Sequence, residues 1–252
     1  MQTRVKTESE IKNIRESGRM LATVLSVCSQ RAAAGMSTKE LADIAAAELK
    51  GLGGKPAFYG YGGFPDVMCI SVNDEVVHGI PRSDKILADG DILGMDFGVL
   101  HGGMITDSAT TIFVGGEARN KREKMLVDVT RTALQAGIDS LHDGVRVGDI
   151  GAAVQEVLDN AGLGIVRELV GHGVGHELHE EPNVPNYGKA GTGQRLQAGM
   201  TIAIEPMATL GDHKIAMRED EWTIVTRDGS RSAHFEHTVL ITQDGAEIIT
   251  RL

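Results

Sequence analysis

The sequence resembles itself at an offset of 109 residues, and this internal repeat constrains the fold more than any other feature. The segment 35–41 resembles the segment 144–150. Further matches at the same offset pair Leu87, Gly90 and Asp96 with Leu196, Gly199 and Glu205. One offset shared by separated matches indicates two related halves, at about 35–114 and 144–252, each with a helix followed by a strand that carries an acid near its end. Chance similarity is the alternative. We expect both halves to lie in a single domain over residues 1–252.

Composition and charge exclude several classes of protein. The net charge of -10 argues against a nucleic-acid partner, because phosphate binding needs clusters of Lys and Arg. Only Cys28 and Cys69 are present, which fits a reducing cytoplasm and provides no zinc-type pairing. The charged N-terminal segment lacks a signal-peptide core, and no apolar run reaches the ~18 residues of a membrane span. We therefore expect a cytoplasmic protein that does not enter the membrane. A monomer is a separate expectation.

Local patterns predict the secondary structure. Apolar residues at a helical period indicate helices over 8–31, about 37–49, 119–141 and 147–160. Ser37 can cap the second helix with Glu40 three residues on, and Gly51 would follow its end. Strands are expected near 67–72, 91–99 and 104–114, and mainly strand and loop from residue 169 onward.

Residues 91–114 are predicted to form a β-hairpin around His101-Gly102. Pairing Leu100 with Gly103 sets a register in which Asp96 faces Asp107. Like charges that face each other across strands are destabilising unless a positive charge lies between them, and a metal ion would supply it. Two solvated surface acids are the equally plausible alternative for this segment alone.

Three histidines, His172, His176 and His179, lie in a glycine-rich segment, 171–182. A helix there would put His172 and His176 on one face, but three glycines at about 1 kcal/mol each disfavour it, and the zinc-protease helix pattern is absent. A loop or strand end is expected, where the backbone can approach a ligand closely. Each histidine could equally be a hydrogen-bonded structural residue.

Two further acids lie in apolar strands. Glu205 ends the apolar run 201–204, and Glu236 lies within 233–241. A buried carboxylate without a partner costs several kcal/mol or shifts its pKa, so a metal ion, a histidine or an arginine is expected beside each. A structural ion pair is the alternative.

Together, these segments provide four carboxylates and one imidazole, from Asp96, Asp107, His172, Glu205 and Glu236. Four negative charges balance two divalent cations. Such an oxygen-rich set suits divalent manganese, iron, cobalt or zinc, and two ions about 3.5 to 4 Å apart can activate one water molecule.

The chain resembles the bacterial, type I methionine aminopeptidases of the pita-bread metallopeptidase fold along nearly its whole length. The resemblance rests on separated motifs in the same order: Val77-His78-Gly79-Ile80-Pro81, Thr106-Asp107-Ser108 with Asp96, Gly171-His172-Gly173-Val174-Gly175, His179-Glu180-Glu181-Pro182, Ile204-Glu205-Pro206-Met207 and Phe235-Glu236-His237-Thr238. It implies an α/β (α+β) fold of two halves related by a pseudo-twofold axis, with antiparallel sheet covered by helices. It also implies an enzyme that removes N-terminal methionine from nascent polypeptides with a small second residue, with the ribosome as one place of encounter.

The resemblance also implies the role of each site residue. Asp96 and Asp107 would bind one metal ion, His172 and Glu205 the other, and Asp107 and Glu236 would bridge both. His78 would contact the peptide nitrogen, His179 would donate to the carbonyl oxygen, and Glu205 would also take a proton from the attacking water. The pocket for the methionine side chain would be formed by Tyr61, Phe64, Cys69, Leu178 and Trp222, although the three aromatic residues could also be ordinary core residues.

Three other functions are compatible with parts of the sequence. A proline-directed dipeptidase or aminopeptidase shares the fold but usually carries a further N-terminal domain. A catalytically inactive binding protein on the same fold would be expected to lose metal ligands, and all five are present. An unrelated metal-binding scaffold explains fewer of the motifs.

Overall fold

A computed structural model describes residues 3–252. Their helices are α1 (Glu8–Arg31), α2 (Thr38–Leu52), α3 (Lys121–Asp139) and α4 (Val147–Asn160), with a single 3-10 turn at Tyr61–Gly63. The strands are β1 (Lys55–Pro56), β2 (Met68–Val72), β3 (Glu75–Val77), β4 (Ile92–His101), β5 (Met104–Phe113), β6 (Gly164–Ile165), β7 (Gly171–Gly173), β8 (Glu180–Val184), β9 (Thr201–Ile204), β10 (Met207–Thr209), β11 (Ile215–Met217), β12 (Ile224–Thr226), β13 (Ser232–His234), β14 (His237–Ile241) and β15 (Ala246–Ile248). None of these helices combines the length and apolar character that a membrane crossing requires.

The helix starts follow from local capping. The Thr7 side chain accepts from the Glu10 N–H before α1, while the Glu10 carboxylate accepts from the Thr7 N–H, and Ser37 and Glu40 form the same reciprocal pair before α2. The predicted span of the first helix is confirmed. The predicted end of the second is wrong, because α2 runs through Gly51 and stops at Gly53, whose φ of 83° is left-handed.

Two antiparallel sheets support the centre of the molecule. In the first sheet, β4 lies between β2 and β5 and also pairs with β1. The second has the order β15-β14-β9-β7-β8. One apolar core joins α1 and α2 to the first sheet, and another joins α3 and α4 to the second. The expected α/β class, with antiparallel sheet covered by helices, is confirmed.

The 109-residue offset recurs in backbone contacts. Isolated bridges pair Ser37 with Ile86 and Arg146 with Arg195. Backbone N–H donors at Gly35 and Gly144 lie 2.8 Å from the Leu87 carbonyl and 2.9 Å from the Leu196 carbonyl, respectively. Corresponding turns therefore precede α2 and α4 and hold the chain in the same way. These contacts support the proposed division into halves at about 35–114 and 144–252.

The β4–β5 hairpin has a different register from the predicted one. His101 pairs with Met104, so the turn is Gly102-Gly103, with φ of 56° and 78°. A two-residue turn of this kind needs positive φ at both central positions, which glycine tolerates far better than histidine. Asp96 consequently faces Ala109, and Asp107 faces Gly98, so the predicted Asp96–Asp107 pairing is wrong. Because the shift is two residues, both acids still lie on one face of the hairpin.

Candidate metal centre and substrate pocket

One cavity of about 130 Å³ lies at the junction of the two sheets and brings every predicted site residue together. Its lining comprises Phe58, Tyr61, Phe64, Cys69, His78, Asp96, Asp107, His172, Leu178, His179, Glu205, Trp222 and Glu236. Acidic and imidazole groups share this small space with apolar side chains. The cavity is much smaller than the roughly 300 to 1,000 Å³ of sites for drug-sized ligands, and it suits a single side chain.

Five positions, three in strands and two next to strand ends, bring the polar groups to this cavity. Asp96 lies in β4, Asp107 in β5 and His172 in β7. Glu205 directly follows β9, and Glu236 directly precedes β14. Contacts between β5 and the start of β14 join the two sheets at this point. The Glu236 N–H donates to the Ala109 carbonyl at 2.9 Å, and the Asp107 N–H donates to the Thr238 hydroxyl at 2.9 Å.

The carboxylates have no cationic side chain to neutralise them, since neither lysine nor arginine lines the cavity. Within residues 3–252, Asp96 Oδ1, Asp107 Oδ1 and Glu236 Oε1 are buried without a hydrogen-bond partner. Burial raises the pKa of Asp96 to about 7. Burial, together with the neighbouring carboxylates, also raises the pKa values of Asp107, Glu205 and Glu236. Such a concentration of unpaired acid fits divalent cations.

Three of the five candidate ligands lie close enough to share an ion. One atom from each of Asp107, His172 and Glu236 lies within 4.8 Å of the other two. The His172 Nε2 atom is 3.4 Å from Glu205 Oε1 and 4.0 Å from Asp107 Oδ2. Burial lowers the pKa of His172 to about 3, so its imidazole is neutral. Its Nδ1 lies 2.9 Å from the Gly173 carbonyl and donates to it, which leaves the Nε2 lone pair free for a metal.

The two histidines expected to contact substrate lie at the edge of the acidic group. His78 has a φ of 59°, an uncommon conformation for a residue other than glycine and one often found at functional sites. Burial lowers the pKa of His78 to about 4. His179 is exposed, and its ring centre lies 4.2 Å from that of His172. Both histidines therefore face the same cavity as the candidate metal ligands.

The apolar wall consists of Phe58, Phe64, Cys69 and Leu178, which pack together with Trp222 beside them. The Phe64 and Trp222 rings meet edge to face, with centres 5.1 Å apart. Tyr61 differs from the rest of the predicted pocket because it is 44% exposed. Its hydroxyl lies 2.8 Å from His179 Nδ1, so Tyr61 contacts a catalytic candidate as well as bordering the pocket.

Sequence reasoning missed two residues at this site. Phe58 lines the cavity and fills the space left by Gly98, where a Cβ atom would lie 2.6 Å from the Phe58 ring. His234 is buried, with Nε2 at 3.7 Å from Glu205 Oε2, and burial lowers its pKa to about 3. A histidine two residues before Glu236 in an apolar strand was the available signal. His176 points elsewhere, to Glu10 at 2.7 Å.

Comparison with known proteins agrees with this geometry. The family model for metallopeptidase family M24 matches residues 12–243. Methionine aminopeptidase 1 of Bacillus subtilis (strain 168) is 43% identical over 247 residues, which is 98% of each chain. The methionine aminopeptidase of Borreliella burgdorferi is 45% identical over 247 residues, or 98% of this chain and 97% of that one.

Solved structures show the same relationship. The crystal structure of a methionine aminopeptidase from Thermotoga maritima matches with a TM-score of 0.97 and 45% identity, covering all of both chains. A prolidase from Pyrococcus furiosus matches with a TM-score of 0.80 at 23% identity, and this chain covers 65% of its length. The likeness to the prolidase is therefore one of fold alone.

Proposed function

The chain belongs to metallopeptidase family M24, and we propose that it is a methionine aminopeptidase with two divalent metal ions. It hydrolyses the first peptide bond of polypeptides that begin with methionine. The observation that carries this function is the shared cavity, in which four carboxylates without cationic partners face an apolar pocket that holds one side chain. The residues that hydrolyse the first peptide bond and those that select the methionine side chain therefore lie side by side.

Asp96, Asp107, His172, Glu205 and Glu236 would hold the ions, which are cobalt, manganese, iron or zinc. Bound divalent ions of this kind polarise a carbonyl and lower the pKa of water. By the resemblance to the family, Asp107 and Glu236 would be ligands shared by the two ions. Glu205 would also accept a proton from the attacking water.

The remaining residues bind the substrate and stabilise charge. The methionine side chain fills the space beside Phe64, Cys69, Leu178 and Trp222, where its thioether packs against apolar atoms. His78 contacts the nitrogen of the scissile bond. His179 donates from Nε2 to the carbonyl oxygen as that oxygen gains negative charge.

The Tyr61 contact supports this role for His179. A neutral imidazole that donates from Nε2 must accept at Nδ1. The Tyr61 hydroxyl, 2.8 Å from Nδ1, can donate there and so select the required tautomer. Tyr61 is then a positioning residue for His179.

Nascent polypeptides in the cytoplasm, met at the ribosome among other places, are the proposed substrates. Both cysteines are free, as in a reducing compartment. The side chain of the second substrate residue would lie near the ions and His179, so a small residue is preferred there. We propose a monomer, because one chain supplies all the site residues.

A peptide assay tests the function. Metal-stripped protein should release methionine from Met-Ala-Ser only after manganese or cobalt is added, and it should cleave Met-Ala and Met-Gly peptides much faster than Met-Leu or Met-Lys peptides. N-acetylated Met-Ala-Ser should resist cleavage, because an aminopeptidase acts at a free amino terminus. Equal cleavage of Ala-Pro substrates would instead identify a proline-directed enzyme.

A further inference from the structure

A segment near the N-terminus, residues 3–6, lies against the loop 175–181 that carries His179. The Thr3 N–H donates to the Glu181 carbonyl at 2.6 Å, and the Lys6 N–H donates to the Gly199 carbonyl at 2.8 Å. The Thr3 hydroxyl also donates to the Thr201 carbonyl at 3.3 Å. The segment is therefore attached both to the end of the loop and to the strand region that leads to Glu205.

Glycines form the seat for this segment. A Cβ atom at Gly173 would lie 2.8 Å from the Thr3 side chain, and one at Gly175 would lie 2.6 Å from Lys6 Cε. Both distances are shorter than side chains tolerate, so a larger residue at 173 would clash with Thr3 and with the Glu181 carbonyl, and one at 175 would move the Lys6 side chain. The glycine-rich sequence beside His172 is thus explained in part by the close approach of residues 3–6.

A buried ion pair connects the segment to the loop. Lys6 Nζ lies 3.5 Å from Glu180 Oε2, and neither side chain is exposed to solvent. The other Glu180 oxygen, Oε1, accepts from the His176 N–H at 2.7 Å and from the Glu177 N–H at 3.1 Å. Glu180 therefore closes the turn that contains Leu178 and His179.

The His179 side chain is held by few contacts. It is exposed, and within the described residues 3–252 its ring has one hydrogen bond, to Tyr61, and lies 4.2 Å from the ring of His172, centre to centre. The position of its Nε2 atom therefore also depends on the backbone of the loop. Because removing one member of a buried ion pair leaves an uncompensated charge, loss of Lys6 would displace Glu180 and the turn it closes.

We propose that Lys6 and Glu180 are positioning residues for His179, acting through the turn 176–179. This inference rests on the proposed function, in which His179 contacts the substrate carbonyl. Lys6 fixes Glu180, Glu180 fixes the turn, and the turn directs His179 at the reacting bond. The N-terminal segment is thereby part of the machinery for turnover, although it does not touch substrate.

The decisive variant is Lys6→Met, which keeps the length of the side chain and removes its charge. With Met-Ala-Ser as substrate, kcat should fall on the order of 10- to 100-fold, while the bound manganese stays at the wild-type level. Hydrogen exchange of the amides in 176–180 should become faster. Arg19→Met is the matched control, because Arg19 forms an exposed ion pair with Glu16 on the same part of the chain, and it should change neither quantity.

Introducing Lys6→Met into His179→Ala protein distinguishes a positioning role of Lys6 from a general effect on stability. In His179→Ala protein, adding Lys6→Met should cause no further loss of kcat, because the group it positions is gone. If Lys6→Met prevents folding, Thr3→Val makes a milder change, because it removes the hydroxyl that accepts from Lys6 Nζ at 3.1 Å. That variant should show a smaller fall in kcat, again absent from the His179→Ala background.

The possible failures are distinguishable. Equal losses of kcat in the wild-type and His179→Ala backgrounds would reduce Lys6 to a structural residue, and an unchanged kcat in Lys6→Met would overturn the inference directly. Either result leaves the proposed function standing, because wild-type protein still releases methionine. Wild-type protein that releases no methionine with manganese or cobalt present would overturn the proposed function and the positioning role together.

Discussion

Removing the charge of Glu236 should stabilise the metal-free protein while weakening its response to metal. Glu236 Oε1 is buried without a partner in residues 3–252, and a ligand atom of Glu236 lies within 4.8 Å of one of Asp107. Two unit charges at 4.8 Å repel by about 3 kcal/mol at an effective dielectric constant of about 20. Protons taken up by these acids relieve part of that repulsion. Glu236→Gln should therefore raise the free energy of unfolding at pH 8 by at most about 3 kcal/mol.

Glu75→Gln is the matched control, since Glu75 is also buried but is paired with Lys85 and Arg218. Losing that carboxylate should lower the free energy of unfolding, because it leaves Lys85 without its partner, whereas the exposed Arg218 keeps Asp74. Urea denaturation after treatment with a chelator measures both variants.

Manganese addition then completes the comparison. Manganese at 100 times its Kd stabilises a protein with one binding site by about 2.7 kcal/mol. Glu236→Gln should lose most of the stabilisation that manganese gives to the wild-type protein. Glu75→Gln should keep it. The reasoning is refuted if Glu236→Gln destabilises the metal-free protein as Glu75→Gln does and both respond equally to manganese. Turnover should disappear in Glu236→Gln alone.

Three further predictions concern the histidines and Tyr61. His179→Ala should keep its metal and lose about 2.7 to 4 kcal/mol of transition-state stabilisation, the loss expected for one oxyanion donor. His172→Ala should instead bind metal weakly, and His176→Ala should change little. Metal titration and turnover of the three variants test this, and the reverse pattern for His172 and His176 would refute the assignment. Tyr61→Phe should lower kcat through His179, and should have no effect on kcat in a His179→Ala background. Burial lowers the pKa of His78 to about 4, so this residue favours the folded state above pH 6.5, and that contribution is lost as the pH falls toward 4. Between these pH values, the free energy of unfolding of the metal-free wild-type protein, measured by urea denaturation, should fall more steeply than that of His78→Asn. Parallel curves would contradict this prediction.

Local signals made the helices predictable. The reciprocal capping by Thr7 with Glu10 and by Ser37 with Glu40 needs only residues three apart, so sequence contains all of the required information. The register of the β4–β5 hairpin was harder to predict from the sequence, because it depends on which two neighbouring residues adopt positive φ in the turn. The acids of this hairpin were still expected on one face, since a shift of two residues does not change the face.

The remaining features of the site depend on distant segments. His234 approaches Glu205 because β13 pairs with β10, which follows Glu205, so that His234 lies opposite Met207, and no spacing rule connects the two strands. The hydrogen bond between Tyr61 and His179 joins residues 118 apart in the chain. The pocket residues were expected through a family resemblance, whereas their contacts with one another required the packed structure.

The division of the acidic group between two sheets has a consequence for synthesis of the chain. Asp96 and Asp107 belong to a hairpin that is complete by residue 113, whereas His172, Glu205 and Glu236 follow α3 and α4. A growing polypeptide thus carries the first two acids long before their three counterparts exist. With the ligand set proposed above, high-affinity metal uptake would wait until Glu236 has joined the sheet that contains β9 and β14. Bound metal would then report that the hairpin and the second sheet have come together.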